Sequence, residues 1–302
     1  LRVEDVGRAT AKGKADNIYA NYYPFHIGKG ITSDDDFASR IYLGTCANAI
    51  AVAEAAGTPI TVQDAVFTLE SGYISRVYGG GTAPVGDGTA AKAHTVTINV
   101  KGGSVYTELY GSGTSDAAEH NKSVELNISG GTVEKFYAAA KGGHIYEGVT
   151  VNVTGGKLNG LYANTDVATI DGGVKVQYQN VSGKTLPKLT GGSFAVVLKS
   201  SSVSAHTGNK VLWDSVTGIQ MTDDSTLTMA AADLVPTKIV PVTLTKAGEN
   251  WNTATPLITA PANTEEWHKS RVQWIEQNMT WDARLDTFEE LYRQILSKKP
   301  SA

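Results

Sequence analysis

The chain has 302 residues, of which 32 are glycine, and its charged residues amount to 19% with a formal net charge of −4 at pH 7. This composition favours a loop-rich β protein, and the slight excess of acid argues against a nucleic-acid-binding surface. The single cysteine, Cys46, excludes an intrachain disulfide framework, and no run of about 18 apolar residues predicts a membrane span. The small apolar neighbours of Cys46 predict a buried structural thiol rather than a nucleophile.

One sequence pattern recurs along the first half of the chain. The copies read AVFTLESGYISRVYGGG from Ala65, VTINVKGGSVYTELYGSG from Val96, VELNISGGTVEKFYAAA from Val124 and VTVNVTGGKLNGLYANT from Val149. Aligned on Gly72, Gly103, Gly131 and Gly156, the copies place Tyr78, Tyr110, Tyr137 and Tyr162 six or seven residues later, and Tyr42 lies upstream. A repeat of this kind predicts one structural unit per copy, with loops of variable length between the units.

The apolar residues before each aligned Gly alternate with polar ones, as Val96, Ile98 and Val100 do, and this period of two indicates a β-strand. A unit of about 25 to 35 residues cannot bury its own apolar face, so the copies are expected to stack as parallel strands. We therefore predict an all-β fold, a right-handed parallel β-helix (β-solenoid), over roughly residues 17 to 230. The residues predicted to point inward are Val96, Ile98, Val100, Val124, Leu126, Ile128, Val149, Val151 and Val153.

A polar ladder is predicted on the same strands. Four residues before the aligned Gly stand Thr68, Asn99, Asn127 and Asn152. In parallel strands about 4.8 Å apart, such amides can hydrogen-bond from one turn to the next.

The pattern loosens after the fourth copy, and the composition changes towards the C terminus. Further strands are predicted in Leu189–Leu198, Lys210–Met221 and Ser225–Ala230. The predicted organisation is a β-solenoid at residues 1–232, Pro-containing edge strands and a linker at 233–263, and an α-helical tail at 264–302. The tail begins with Thr264 as an N-cap, and its apolar helical face, expected to cap the end of the solenoid, consists of Trp281, Leu285, Phe288, Tyr292 and Ile295.

Two families share features with this sequence. The copies with Gly-Gly and Tyr-Gly, over about residues 60 to 175, resemble the β-helical adhesin-like repeat regions of large surface and secreted proteins of gut bacteria. The tail WIEQNMTWDARLDTFEELYRQIL resembles the C-terminal helix of GT-B glycosyltransferases. The Glu-rich nucleotide-sugar motif of that second family is not found in the sequence, so the resemblance transfers no catalytic residue.

Several histidine and aspartate residues are candidates for metal binding or catalysis. His94, His120 and His144 recur about once per copy, but their offsets of 9, 11 and 12 residues from the aligned Gly differ, so we interpret them as loop histidines rather than metal ligands. The acids of TSDDDF (Asp34, Asp35, Asp36) and MTDDST (Asp223, Asp224) are adjacent to one another, and adjacent carboxylates point to opposite faces of a strand or form turns. We predict no catalytic residue, metal or cofactor.

The function expected from this pattern is binding. We predict a non-catalytic, adhesin-like module, secreted or on the bacterial cell surface, that binds carbohydrate or a surface protein through corner loops 79–94 and 111–123. The candidate binding residues are Tyr78, Tyr110, Tyr137 and Tyr162. They are interpreted either as a corner stack of aromatic rings or as a platform for sugar rings. The alternatives are a domain of a bacterial glycosyltransferase and a polysaccharide lyase or hydrolase of the β-helix type. The sequence does not determine the oligomeric state.

Overall fold

A computed structural model describes residues 2–3, 15–29, 36–86, 94–114, 121–140, 144–163, 168–206, 215–229 and 240–248. These ranges all belong to one compact unit, Leu1–Asn252. The predicted helical tail, residues 264–302, and most of the predicted linker lie outside the described residues.

Strands make up most of the described chain. Its first part contains β1 (Arg2–Val3), β2 (Ala15–Tyr19), β3 (Phe25–Ile27), β4 (Asp36–Tyr42), β5 (Ala65–Leu69), β6 (Tyr73–Tyr78), β7 (Thr95–Val100), β8 (Ser104–Tyr110), β9 (Ser123–Ile128), β10 (Thr132–Tyr137) and β11 (His144–Ile145). The second part contains β12 (Val149–Val153), β13 (Lys157–Tyr162), β14 (Thr169–Ile170), β15 (Val174–Gln179), β16 (Ser182–Thr185), β17 (Lys188–Thr190), β18 (Phe194–Lys199), β19 (Ser202–Ser204), β20 (Val216–Thr222), β21 (Thr226–Thr228) and β22 (Val242–Thr245). One helix, α1 (Ala47–Ala55), interrupts the strands of the described residues.

The strands form two large sheets and two small ones. The long sheet has the order β1-β3-β5-β7-β9-β12-β15-β18-β20-β22, and the tyrosine sheet has the order β17-β13-β10-β8-β6-β4-β2. The small sheets are β11-β14 and β16-β19-β21. Every strand pair among the described residues is parallel. From β1 to β10, successive strands alternate between the two large sheets without exception, and α1 lies in the connection from β4 to β5.

The period-two pattern of the sequence determines which face of each strand is buried. The nine residues predicted to point inward are all at most 2% exposed, which confirms that part of the prediction. They form one core cluster with the inward residues of the tyrosine sheet, such as Val77, Leu109, Phe136 and Leu161. Burial on both sheets explains the run of β-branched and large apolar residues at alternate positions.

The aligned glycines end the long-sheet strands because the turn requires a left-handed backbone. Gly72, Gly103, Gly131 and Gly156 have φ values of 84°, 65°, 65° and 51°. A Cβ atom on Gly103 would also lie 2.5 Å from the carbonyl oxygen of Gly72 in the neighbouring copy. Gly is therefore required twice, once for the backbone angle and once for the close approach of stacked turns.

The polar ladder predicted from the sequence is present. The Nδ2 of Asn127 donates to Oδ1 of Asn99 at 3.1 Å, and the Nδ2 of Asn152 donates to Oδ1 of Asn127 at 2.9 Å. The Nδ2 of Asn99 continues the ladder to Oγ1 of Thr68 at 3.4 Å. These side chains lie on the outer face of the long sheet and tie β5, β7, β9 and β12 together in register.

Two local features differ from the sequence interpretation. The sequence analysis missed α1, a helix of small residues with no buried side chain. Cys46 precedes it as the N-cap residue and is a free thiol of intermediate exposure, so the prediction of a buried cysteine is wrong. Within the described part of the chain, no helix is long and apolar enough to cross a membrane.

The chain path changes after β15. A turn at Gly191 and Gly192 divides the predicted strand Leu189–Leu198 into β17 and β18. The strands that follow β15, β18 and β20 are β16, β19 and β21, which form their own small sheet instead of extending the tyrosine sheet. The tyrosine sheet therefore ends at the short strand β17, and this ending positions a cavity described below.

Candidate functional site

A ladder of stacked tyrosine rings runs across the tyrosine sheet. Ring centroids of successive members are 4.9, 4.7, 4.7, 4.8 and 4.5 Å apart, and the ring planes deviate from parallel by 3° to 17°. The members are Tyr19, Tyr42, Tyr78, Tyr110, Tyr137 and Tyr162. Each occupies the last position of its strand, so the parallel register places one ring per strand at the strand spacing.

The tyrosine ladder lies on the outer face of the sheet. The residue before each ring, for example Val77 or Leu109, is fully buried in the core, so the alternation of the strand directs the ring outward. Tyr42 and Tyr78 are nevertheless only 7% and 8% exposed because their neighbours in the stack cover both ring faces. The inner members of the ladder therefore present ring edges rather than faces to the outside.

A row of charged residues runs beside the ladder. Nε of Arg76 donates to Oε2 of Glu108 at 2.8 Å, across β6 and β8. Arg40 on β4 pairs in register with Arg76, and Lys135 on β10 acts electrostatically on the Glu108 carboxylate. A row with charges of both signs thus runs parallel to the row of ring edges on the outer face of the tyrosine sheet.

The contact between Tyr110 and Glu108 shifts the pKa values of both groups. Burial, reinforced by a hydrogen bond to Glu108, raises the pKa of the Tyr110 phenol above its ordinary value. Partial burial alone would raise the pKa of Glu108, but hydrogen bonds from Arg76 and Tyr110 outweigh it and hold that pKa below its ordinary value. At neutral pH the surface therefore carries protonated phenols and an ionised carboxylate.

Two further tyrosines, which the sequence analysis did not single out, are the exposed aromatic pair of this face. Tyr73 and Tyr106 are 38% and 41% exposed, and their ring centroids lie 6.4 Å apart with the planes tilted by 49°. Between them and the charged row, Oγ of Ser75 and Oγ1 of Thr107 share a hydrogen bond of 3.1 Å. The signal for this pair was available, because both residues occupy outward positions early in the second strand of their copies.

Only parts of the two corner loops, 79–94 and 111–123, belong to the described residues. Residues 87–93 and 115–120 of the two loops lie outside the described residues, so the prediction that these loops bind a ligand stays a prediction. The four candidate tyrosines, Tyr78, Tyr110, Tyr137 and Tyr162, all belong to the ladder, which is the stacked arrangement that the first interpretation expected.

The two described candidate histidines, His94 and His144, are not arranged as a common metal site. His94 is 2% exposed, and burial lowers its pKa to about 4, so it is a neutral interior side chain rather than a loop histidine. His144 on β11 lies with Nε2 at 2.6 Å from Oδ2 of Asp171, and its ring stacks on Tyr146. His120 lies outside the described residues. No group of three or more His, Cys, Asp or Glu residues in the described ranges is arranged to hold a metal ion.

The acidic candidates are only partly described, and the described ones do not form a catalytic pair. Asp34 and Asp35 lie outside the described residues, and for Asp36 only the backbone position, at the start of β4, is described. Asp223 accepts a hydrogen bond from the backbone N–H of Ala247 at 2.8 Å, and Asp224 accepts one from the hydroxyl of Thr222. This second pair therefore stabilises a turn after β20, as short carboxylates commonly do.

Comparisons with protein-family models, with curated proteins and with solved structures give no match for this chain.

Proposed function

We propose that the chain is a non-catalytic binding module of the adhesin-like kind, built on a right-handed parallel β-helix, which binds carbohydrate at a bacterial surface or in a secreted protein. The observation that carries the proposal is the outer face of the tyrosine sheet. That face combines two exposed aromatic rings, Tyr73 and Tyr106, with a row of charged and hydroxyl groups.

The order of the strands supports the β-helical part of the proposal. Consecutive copies supply one strand to the long sheet, then one to the tyrosine sheet, and then return to the long sheet beside the previous copy. A connection between two parallel strands of one sheet is right-handed in about 98% of known cases. Stacked copies of this kind extend without closing on themselves, which is the architecture of repeat proteins with long binding surfaces.

The chemistry of the face suits a saccharide. A sugar ring has an apolar C–H face that packs on an aromatic ring, and hydroxyl groups around its edge that need hydrogen-bond partners. Tyr73 and Tyr106 supply the rings, while Arg76, Glu108 and the Ser75–Thr107 pair supply donors and acceptors within the same two strands. Because neighbouring strands repeat these positions, several sugar rings of one saccharide can be bound in succession.

A glycan array followed by titration with the best-bound oligosaccharide tests the proposal. We expect binding without turnover, and a loss of affinity of about tenfold or more in the double variant Tyr73→Ala and Tyr106→Ala, since tenfold corresponds to about 1.4 kcal/mol. Tyr23→Ala is the matched control, because Tyr23 is 64% exposed and lies outside the tyrosine sheet.

Three results contradict the proposal. The double variant binding as tightly as the unaltered protein would remove the face from consideration. Depolymerisation of a bound polysaccharide would show an enzyme of the lyase or hydrolase class. Transfer of sugar from a nucleotide donor would show a glycosyltransferase domain.

A further inference from the structure

A cavity of about 400 Å³ lies at the end of the tyrosine sheet, and its volume falls within the range of small-ligand sites, about 300 to 1,000 Å³. It opens between the start of β13 and the strand β16. The residues that line it are Val153, Gly156, Lys157, Leu158, Asn159, Tyr178, Gly183, Lys184, Thr185, Leu186 and His206.

The cavity follows from the change in chain path after β15. Strand β13 pairs with β17 only at its last three residues, Gly160, Leu161 and Tyr162. Its first half, Lys157 to Asn159, has no partner strand on that side within the described residues, because β16 pairs with β19 instead. Two sheets that separate at this point leave a space between them.

The cavity lies over buried apolar residues, and its more exposed lining residues include two lysines. The ring of Tyr178 lies beneath the cavity and is only 1% exposed, and its hydroxyl donates to the carbonyl of Thr185 at 3.1 Å. Lys184 donates from Nζ to the carbonyl of Gly156 at 2.8 Å, which holds its ammonium group at the cavity. This bond uses one of the three N–H donors, so two remain for a ligand.

Lys157 adds a second, exposed ammonium group, and the imidazole of His206 a third nitrogen-bearing group. Among the described residues, neither lysine has a carboxylate within 4 Å, and no Asp or Glu belongs to the lining. The amide of Asn159 is oriented by its bond from Nδ2 to Oε2 of Glu134 at 2.6 Å. A cavity whose lining carries two ammonium groups and no carboxylate favours an anionic ligand.

We propose that this cavity binds an anionic residue of an acidic saccharide, with a carboxylate or sulfate group against Lys157 and Lys184 and the sugar ring against the exposed residues Gly183 and Thr185. This inference rests on the proposed carbohydrate-binding function and names its ligand class. Asn159 and Glu134 connect the cavity to the face that carries Tyr106, two strands away, or about 10 Å at the usual strand spacing. One saccharide chain can therefore reach both places.

The test is a calorimetric titration of the full chain with three probes of equal length: an oligogalacturonate, a sulfated oligosaccharide and a neutral oligoglucoside. We expect an acidic probe to bind at least tenfold more tightly than the neutral one. Raised salt should reduce that preference, because ions screen exposed charges. The acidic probe that binds more tightly identifies the anionic group.

The variants Lys157→Ala and Lys184→Met locate the site. Each should abolish most of the preference for the acidic probe, whereas Lys175→Ala, which removes an exposed ammonium group from the long sheet, should retain it. Lys157 carries the test if Lys184→Met fails to fold, because the Lys157 side chain is exposed and has no hydrogen bond to the backbone among the described residues.

The possible results separate the two proposals. Equal binding of acidic and neutral probes overturns the cavity proposal and leaves the carbohydrate-binding function in place. A preference for acid that survives in both lysine variants places the anionic site elsewhere and also overturns it. Failure to bind any saccharide overturns both proposals together.

Discussion

The rings of Tyr78 and Tyr110 lie parallel to within 3°, with centroids 4.7 Å apart, at the ends of neighbouring strands. The separation matches the spacing of parallel strands, about 4.8 Å, so the backbone register alone brings the rings into contact. The same register holds at every step of the ladder, so each inner ring is covered on both faces by its neighbours. The same tyrosines therefore stabilise the fold by stacking and form part of the outer surface of the sheet.

Replacement of an inner ring should destabilise the fold. We expect Tyr78→Ala to lower the free energy of unfolding by about 3 kcal/mol, because it removes a nearly buried ring and two aromatic contacts. Tyr78→Phe keeps the ring and should cost less than about 1 kcal/mol. Urea unfolding of both variants gives the comparison, and equal losses in the two would show that stacking contributes little.

The asparagine ladder should contribute through hydrogen bonds. Asn127 both donates to Asn99 and accepts from Asn152, so Asn127→Ala should cost about 2 kcal/mol at about 1 kcal/mol for each bond. Thr97→Ala, on the same outer face of β7, serves as the control and should change stability by less than about 0.5 kcal/mol. A loss for Asn127→Ala no larger than that of the control would show that water replaces the ladder without cost.

Gly103 should tolerate no side chain. Gly103→Ala introduces a Cβ atom 2.5 Å from the carbonyl oxygen of Gly72 at a φ of 65°, and we expect a loss of at least about 3 kcal/mol from strain and overpacking combined. Gly57→Ala is a matched control, since Gly57 has a φ of 70° but no atom within 4 Å of an added Cβ. Its loss should be about 1 kcal/mol, the cost of the backbone angle alone. Thermal unfolding of the pair separates the two effects, and similar losses would contradict the close approach.

Stability should decrease with acidification through His94. Burial lowers the pKa of this imidazole to about 4, against an ordinary value of 6.5, and the nearby Gln63 backbone and Asp64 carboxylate oppose the shift only in part. Between these pH values the unfolded chain binds more protons than the folded chain, so the contribution is fully present above pH 6.5 and decreases as the pH falls towards 4. At about 1.4 kcal/mol per pH unit the loss approaches about 3 kcal/mol.

The measurement for His94 is chemical unfolding at several pH values between 4 and 7, repeated with His94→Gln. Glutamine does not titrate, so the variant should show a smaller slope of stability against pH than the unaltered protein. Carboxylates elsewhere titrate in both proteins and cancel in the difference. Identical slopes would show that His94 is protonated in the folded state or accessible to solvent.

The sequence by itself determined the strands of the repeat and their contacts. Val96, Ile98 and Val100 alternate with polar residues, and this local period is sufficient to assign the buried face. The Asn ladder was predictable for the same reason, because equal offsets from an aligned Gly become equal positions in parallel strands. The tyrosine stack follows from that register too, although the sequence left open whether ring faces or ring edges point outward.

Only the tertiary structure decided the features that depend on distant segments. The exposure of Tyr73 and Tyr106, the burial of His94 and the partial exposure of Cys46 depend on which neighbours cover each side chain, and no local period encodes that. The cavity at Lys157 and Lys184 arises because β16 pairs with β19 rather than with β13. Pairing between strands is set by competition among many possible partners along the chain, so the space left where two sheets separate cannot be found in either strand alone.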